Sequence, residues 1–229
     1  MEYPHNRPYT ADDLVRIITL LRDPVNGCPW DKVQTHTSIR MNFLEEAYEA
    51  VDALDLDDPV LMCEELGDVL MQVAFHTCME QETGRFTWEQ VCDGVCQKLI
   101  ERHPNIFGTQ PGYEGITDWD ALKNKEKGRR TLADDLESVP RAMPALMRAA
   151  KLQKRAARHG AALQGADAAA LADAAENLQT AQPASAQAEQ AVGELLFAAA
   201  NLAWQAGVDP EQALQKANEA FCTAAGPVA

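Results

Sequence analysis

The chain reads as all-α. Apolar residues recur at helical spacing along most of its 229 residues, with helix caps and prolines at the boundaries, and no stretch alternates as a strand does. Thr10 stands where an N-cap belongs, ahead of a helix over 11–22. "DPVNGCPW" follows as a Pro- and Gly-rich turn. Helices then fit 37–55, 60–81 and 87–103, the last stopped by Pro104. Residues 105–120, "NIFGTQPGYEGITDWD", read as a loop, followed by the basic run "KNKEKGRR" and then "VPRAMPAL". A helix is expected over 145–158. Residues 161–190 are rich in Ala and Gln and weakly patterned, and a final helical pair covers 189–206 and 210–224.

Bulk properties narrow the partners. A hydrophobic share of 46% allows a core. No apolar run reaches the roughly 18 residues of a membrane span. "MEYPHNRPYTADDLVRI" lacks the basic and apolar regions of a secretory signal, so a cytoplasmic protein is expected. The net charge of −15 argues against nucleic acid, whose phosphates attract Lys and Arg. Six Cys at 28, 63, 78, 92, 96 and 222 form no CxxC pair, and several lie in apolar helical patterns. They are expected to be buried thiols in a reducing compartment, with Cys92 and Cys96 on one helix face.

One stretch departs from an ordinary surface. Between Arg40 and Arg85 there is no Lys or Arg, yet Glu45, Glu46, Glu49, Glu64, Glu65 and Asp68 all fall there. On the helix at 37–55, Phe43, Ala47, Ala50, Val51 and Leu54 share one face, with Glu45, Glu46, Glu49 and Asp52 opposite. Alone, that is an amphipathic helix with a solvated side. The next helix is mostly apolar from Leu66 to Met79 and should be buried on most sides. Glu65, Asp68, Gln72 and His76 nevertheless fall in one narrow stripe, at i, i+3, i+7 and i+11. Buried carboxylates need a cation, and the segment supplies none. With the two helices antiparallel across "LDLDDPV", Glu46, Glu49, Glu65 and Asp68 converge. An all-oxygen set suits Mg²⁺ or Mn²⁺. A di-iron bundle would need Glu-x-x-His on two helices, and neither Glu46 nor Glu65 has a His three residues on. His76 reads as a core or surface histidine rather than a ligand.

Glu46-x-x-Glu49 followed by Glu65-x-x-Asp68 resembles the ExxE…ExxD signature of the all-α nucleoside triphosphate pyrophosphohydrolases. "GCPWDKVQTHTSIR", "FLEEAYEAVDAL", "EELGDVLMQVAFH", "KLIERHPNIFG", "VPRAMPALMRAAKLQKRAARHG" and "LLFAAANLA" are similar, in the same order, to MazG proteins. The resemblance runs from about residue 11 to 222. It implies tandem helical domains whose four-helix bundles are completed by dimerisation. It also implies cleavage of a nucleoside triphosphate between its α and β phosphates, giving a monophosphate and pyrophosphate, with Mg²⁺ or Mn²⁺ on the four acids. In that setting Lys98 and Arg102, at i and i+4, point at phosphate oxygens, the alternative being a solvated helix end. Trp30, in a rigid Pro-containing turn, either stacks on a base or sits in the core.

The resemblance also implies two copies of the domain, and a repeat is visible. "EELGDVLMQVAFH" (64–76) aligns with "QAVGELLFAAANL" (190–202). Glu65 then corresponds to Ala191, Asp68 to Glu194, and "EEAYE" to "AENLQ", setting Glu176 and Gln179 opposite Glu46 and Glu49. Lys98 and Arg102 correspond to Ala220 and Ala224. From Gly160 onward the only Lys or Arg is Lys216. The expected organisation is therefore an N-terminal domain (1–107) with an intact acidic site, a loop and basic linker (108–144), and a degenerate repeat (145–229). Two functions compete: a Mg²⁺-dependent pyrophosphohydrolase, and a non-catalytic, nucleotide-binding or regulatory helical homodimer.

Overall fold

Thr10, Thr35, Thr87 and Thr131 each open a helix in the same way. Each Thr hydroxyl accepts from the backbone N–H three residues on, and the side chain at that third residue (Asp13, Ser38, Gln90 and Asp134) accepts from the Thr backbone N–H in return. Two otherwise orphaned donors are thereby satisfied at each start. The computed structural model describes residues 3–5, 7–104, 106–108, 122, 124 and 126–226. Among them it contains nine α-helices and no strand. Contacts divide the chain into two compact units, Met1–Ile116 and Thr117–Ala229.

The first unit carries α1 (Ala11–Leu21), α2 (His36–Asp55), α3 (Pro59–Glu82) and α4 (Trp88–Arg102). A 3-10 turn at Asp31–Val33 lies between α1 and α2. The turn after α1 needs a glycine. A Cβ on Gly27 would stand 2.4 Å from the carbonyl oxygens of Leu21 and Asp23, and the Gly27 N–H bonds Asp23 O at 2.9 Å. Asp58 caps α3, with Pro59 at its first position. The core joins Val15 and Ile18 of α1, Ile39 of α2, Ala74, Phe75, Cys78 and Met79 of α3, and Trp88 of α4. Large side chains such as Phe75 and Met79 each contribute roughly 1.5–3 kcal/mol by leaving water.

Burial corrects two expectations in this unit. The C-terminal half of α3 is buried from Ala74 to Glu80, apart from His76, but Leu66 is 52% and Leu70 40% exposed. On α2 the buried residues are Ile39, Ala50 and Ala53, Glu46 is half-buried, and Val51 and Leu54 are exposed. The helix is apolar on two sides, so periodicity alone could not say which side meets α3. Gln72 on α3 supplies a polar partner for Glu46 and draws that side inward.

The second unit carries α5 (Leu132–Glu137), α6 (Ala145–Arg158), α7 (Ala168–Thr180), α8 (Ala186–Gln205) and α9 (Pro210–Ala225). Helix α7 falls inside the stretch that showed only weak patterning. Alanine carries little periodic signal, but it favours helix and lets α7 lie close to α8. Small residues fill this core: Ala166, Ala174, Ala191, Ala198 and Ala200, with Val139. Buried polar groups fix the register. Asn201 donates to Ala166 O at 2.6 Å, and Gln153 donates to Phe197 O at 2.7 Å. Arg155 reaches Asp135 Oδ1 at 3.1 Å and also bonds the Ser138 hydroxyl.

The cysteines are corrected as well. All six are free thiols, but only Cys78 is buried, and Cys63, Cys96 and Cys222 are exposed. An apolar helical pattern marks residues that shun water, without saying whether this chain covers them. The expected loop at 105–120 lies outside the described residues apart from 106–108. No described helix is long and apolar enough to cross a membrane.

Candidate metal centre between α2 and α3

Helices α2 and α3 are joined by a tight turn and pack along each other. Glu46 and Glu49 stand on successive turns of α2, and Glu65 stands in the first half of α3. One carboxylate oxygen from each lies within 4.8 Å of the others. Asp68 is outside that set, one turn along α3 on a side chain shorter by a methylene. Its charge still acts on both Glu46 and Glu65.

The cost of this crowding shows in the protonation equilibria. Burial pushes the Glu46 carboxyl above its ordinary value, the bond from Gln72 pulls it back, and the charges of Asp68, Glu49 and Glu45 push it up again. Burial and then the charges of Glu49, Asp68, Glu64 and Glu46 raise Glu65. Acids that resist ionisation beside one another are relieved by a hard cation. The donor set fits such an ion: three carboxylates within bridging reach and a fourth adjacent, all oxygen.

A polar seam continues from the acids along the α2–α3 contact. Gln72 Nε2 donates to Glu46 Oε1 at 3.3 Å. Further on, His76 Nδ1 and His36 Nδ1 are 2.7 Å apart with their rings stacked, and burial followed by the His36 charge lowers the His76 pKa. His36 Nε2 is 2.6 Å from Glu80 Oε1, which also accepts from Arg85 Nη2 at 2.6 Å. His76 thus sits among histidine and aromatic neighbours, with Phe43 at 5.9 Å between ring centres. Gln72 stands in the acidic stripe of the sequence, but its spacing assigns it no partner, and nothing local points to His36. An amide at helical spacing from Glu65 and Asp68 on a mostly apolar helix was the available signal.

Lys98 is exposed and Arg102 half-buried on α4, which packs against α3. Trp30 is 56% exposed, so it is not a core residue, and its ring meets the Phe75 ring edge-on at 6.5 Å. In the second unit the groove beside Glu194 is lined by Asp173 and Asn177, not by Glu176 or Gln179. Glu194 itself accepts from Gln190 at 2.8 Å.

An antiparallel helical pair that gathers three carboxylates, with no Lys or Arg between Arg40 and Arg85, defines an all-α protein with an acidic cluster between two of its helices. The family of the MazG nucleotide pyrophosphohydrolase domain matches residues 34–107, from just before α2 to just after α4. The chain is 41% identical over 219 residues to a nucleoside triphosphate pyrophosphohydrolase of Escherichia coli (strain K12), covering 92% of this chain and 83% of that one. It is 38% identical over 212 residues to the nucleoside triphosphate pyrophosphohydrolase/pyrophosphatase MazG of Thermotoga maritima, covering 92% and 82%. A nucleoside triphosphate pyrophosphohydrolase of Mycobacterium tuberculosis is 35% identical over 154 residues, covering 66% and 46%. This chain belongs to the MazG family.

Proposed function

We propose that this chain is a nucleoside triphosphate pyrophosphohydrolase whose chemistry resides in its first unit. Water adds to the α-phosphorus, the bond from that phosphorus to the α–β bridging oxygen breaks, and pyrophosphate leaves a nucleoside monophosphate. The observation that carries this reading is the meeting of Glu46, Glu49 and Glu65 within 4.8 Å in the segment that matches the family.

Glu46, Glu49, Glu65 and Asp68 would hold Mg²⁺ or Mn²⁺. Such a cation supplies Lewis-acid charge that offsets the phosphate oxygens. Lys98 and Arg102 would donate to phosphate oxygens and steady the charge on the departing pyrophosphate. Trp30 offers an exposed indole for stacking on the base. The acids repel a bare triphosphate, so binding requires the cation.

Assembly as a homodimer belongs to the same reading. Val51 and Leu54 of α2, Leu66 and Leu70 of α3, and Val95, Leu99 and Ile100 of α4 are exposed apolar side chains on three helices of the first unit. Apolar surface of that extent calls for cover, and a second copy would complete a four-helix bundle. The second unit would serve packing, since among the described residues the groove beside Glu194 is lined by two acids, Asp173 and Glu194, and by no Lys or Arg. The net charge of −15 disfavours nucleic acid as a partner, and a cytoplasmic setting is consistent with six free thiols.

The test is a pyrophosphate-release assay over a panel of canonical and altered nucleotides, with and without Mg²⁺. Release that needs Mg²⁺ is the expected result. Tight nucleotide binding without release would instead favour a non-catalytic regulatory dimer.

A further inference from the structure

Gln72 is an anomaly of packing. It is 6% exposed, next to the apolar core of α3, where Leu or Met would fill the same space. Its Nε2 donates to Glu46 Oε1, and its own Oε1 is buried with no hydrogen-bond partner among the described residues. The opposite amide orientation would set two acceptors against each other, because an ionised carboxylate can only accept. The unpaired oxygen is thus the consequence of serving Glu46. A buried acceptor without a partner costs free energy, and such departures from good packing concentrate at functional sites.

The repeat supplies an independent observation. In the alignment of 64–76 with 190–202, Gln72 corresponds to Ala198. Ala198 is fully buried in the core of the second unit. Where Glu65 has become Ala191, the amide has gone too, and a small apolar residue takes its place.

We propose that Gln72 is a positioning residue for the cation site: its amide holds Glu46 Oε1 and so fixes the carboxylate that meets Glu49 and Glu65. This rests on the metal reading given above. An unanchored Glu46 would swing among several rotamers, and ordering it would then weaken cation binding. Gln72 acts through Glu46 and touches neither substrate nor cation.

The experiment measures Mn²⁺ binding to the full chain by the paramagnetic resonance of free Mn²⁺, for wild type, Glu49→Gln and Gln72→Met. Methionine keeps the length and volume of glutamine without its hydrogen bonds. The expected result is about tenfold weaker Mn²⁺ binding by Gln72→Met, with helical circular dichroism retained and the melting temperature of the cation-free protein unchanged or raised. A merely structural glutamine would not lose cation affinity while keeping its stability. Wild-type affinity in a folded Gln72→Met overturns the proposal. Should that variant fail to fold, the side-chain amide NMR signals of Gln72 in the wild type decide. They shift on Mg²⁺ addition if Gln72 anchors a ligand, and stay fixed if the proposal is wrong. Failure of the wild type itself to bind Mn²⁺ in a Glu49-dependent way overturns the metal reading, and this inference with it.

Discussion

Arg22, just past the end of α1, grips Glu82, the last residue of α3, with both prongs of its guanidinium: Nε and Nη2 lie 2.5 and 2.8 Å from the two carboxylate oxygens. Its remaining nitrogen, Nη1, donates to Asp31 O at 2.7 Å and Gln34 O at 3.2 Å. The guanidinium also sits over the Phe75 ring at 5.2 Å. One buried cation therefore ties α1, α3 and the segment carrying Trp30 together. Arg22→Ala should destabilise the fold by about 2–4 kcal/mol, and Arg22→Lys should recover only part of that because ammonium cannot form the fork. Chemical denaturation of both variants checks the order.

Glu49→Gln keeps size and helix propensity while removing one carboxylate charge from the cluster. It should remove most Mg²⁺-dependent pyrophosphate release and leave the helical circular dichroism in place. Wild-type turnover would take Glu49 out of the site, and unfolding would make it structural.

The raised carboxyls of Glu46 and Glu65 set a pH dependence. A folded-state pKa above the ordinary 4.5 means the folded chain holds these protons more tightly than the unfolded chain. Their contribution to stability is present at low pH and is lost as pH rises through the folded values. Without divalent cation, Glu65→Gln should melt higher than wild type near pH 7 and show a flatter profile as pH rises above the ordinary 4.5. Added Mg²⁺ should raise the wild type more than the variant, since only the intact cluster gains from the ion. Thermal scans in EDTA and in Mg²⁺ measure both effects.

Leu70→Glu tests assembly. Leu70 is exposed within one copy, so a charge there should leave the helices intact. If that face meets a second copy, the variant should sediment as a particle near 25 kDa and the wild type at about twice that mass. A monomeric wild type at micromolar concentration would contradict the homodimer.

Asp68→Ala and Glu194→Ala compare the two units at positions that the repeat equates. Loss of a carboxylate serving a catalytic cation costs orders of magnitude in rate, each factor of ten being about 1.4 kcal/mol of barrier. Glu194 is bonded to Gln190 on its own helix and has Ala191 where the first unit has Glu65. Its loss should stay within about twofold if the fold holds. Equal and severe losses at matched dimer content would restore the second unit to the chemistry.

The sequence by itself determined the helices of the first unit, to within a residue or so at each end. It also singled out the acidic stretch, because capping threonines, Pro59 and Pro104 act locally and the missing cations between Arg40 and Arg85 are a matter of composition. Ordered motifs were enough to indicate the family. Periodicity could not choose which of two apolar sides of α2 faces α3, nor see α7 in an alanine-rich stretch, nor tell covered cysteines from bare ones. Those outcomes depend on what lies opposite each side chain. Only the tertiary structure brought Gln72 to Glu46, His36 to His76 and Glu80, and Arg22 to Glu82. Each of these contacts joins residues from different elements, far apart along the chain, and no local spacing encodes them.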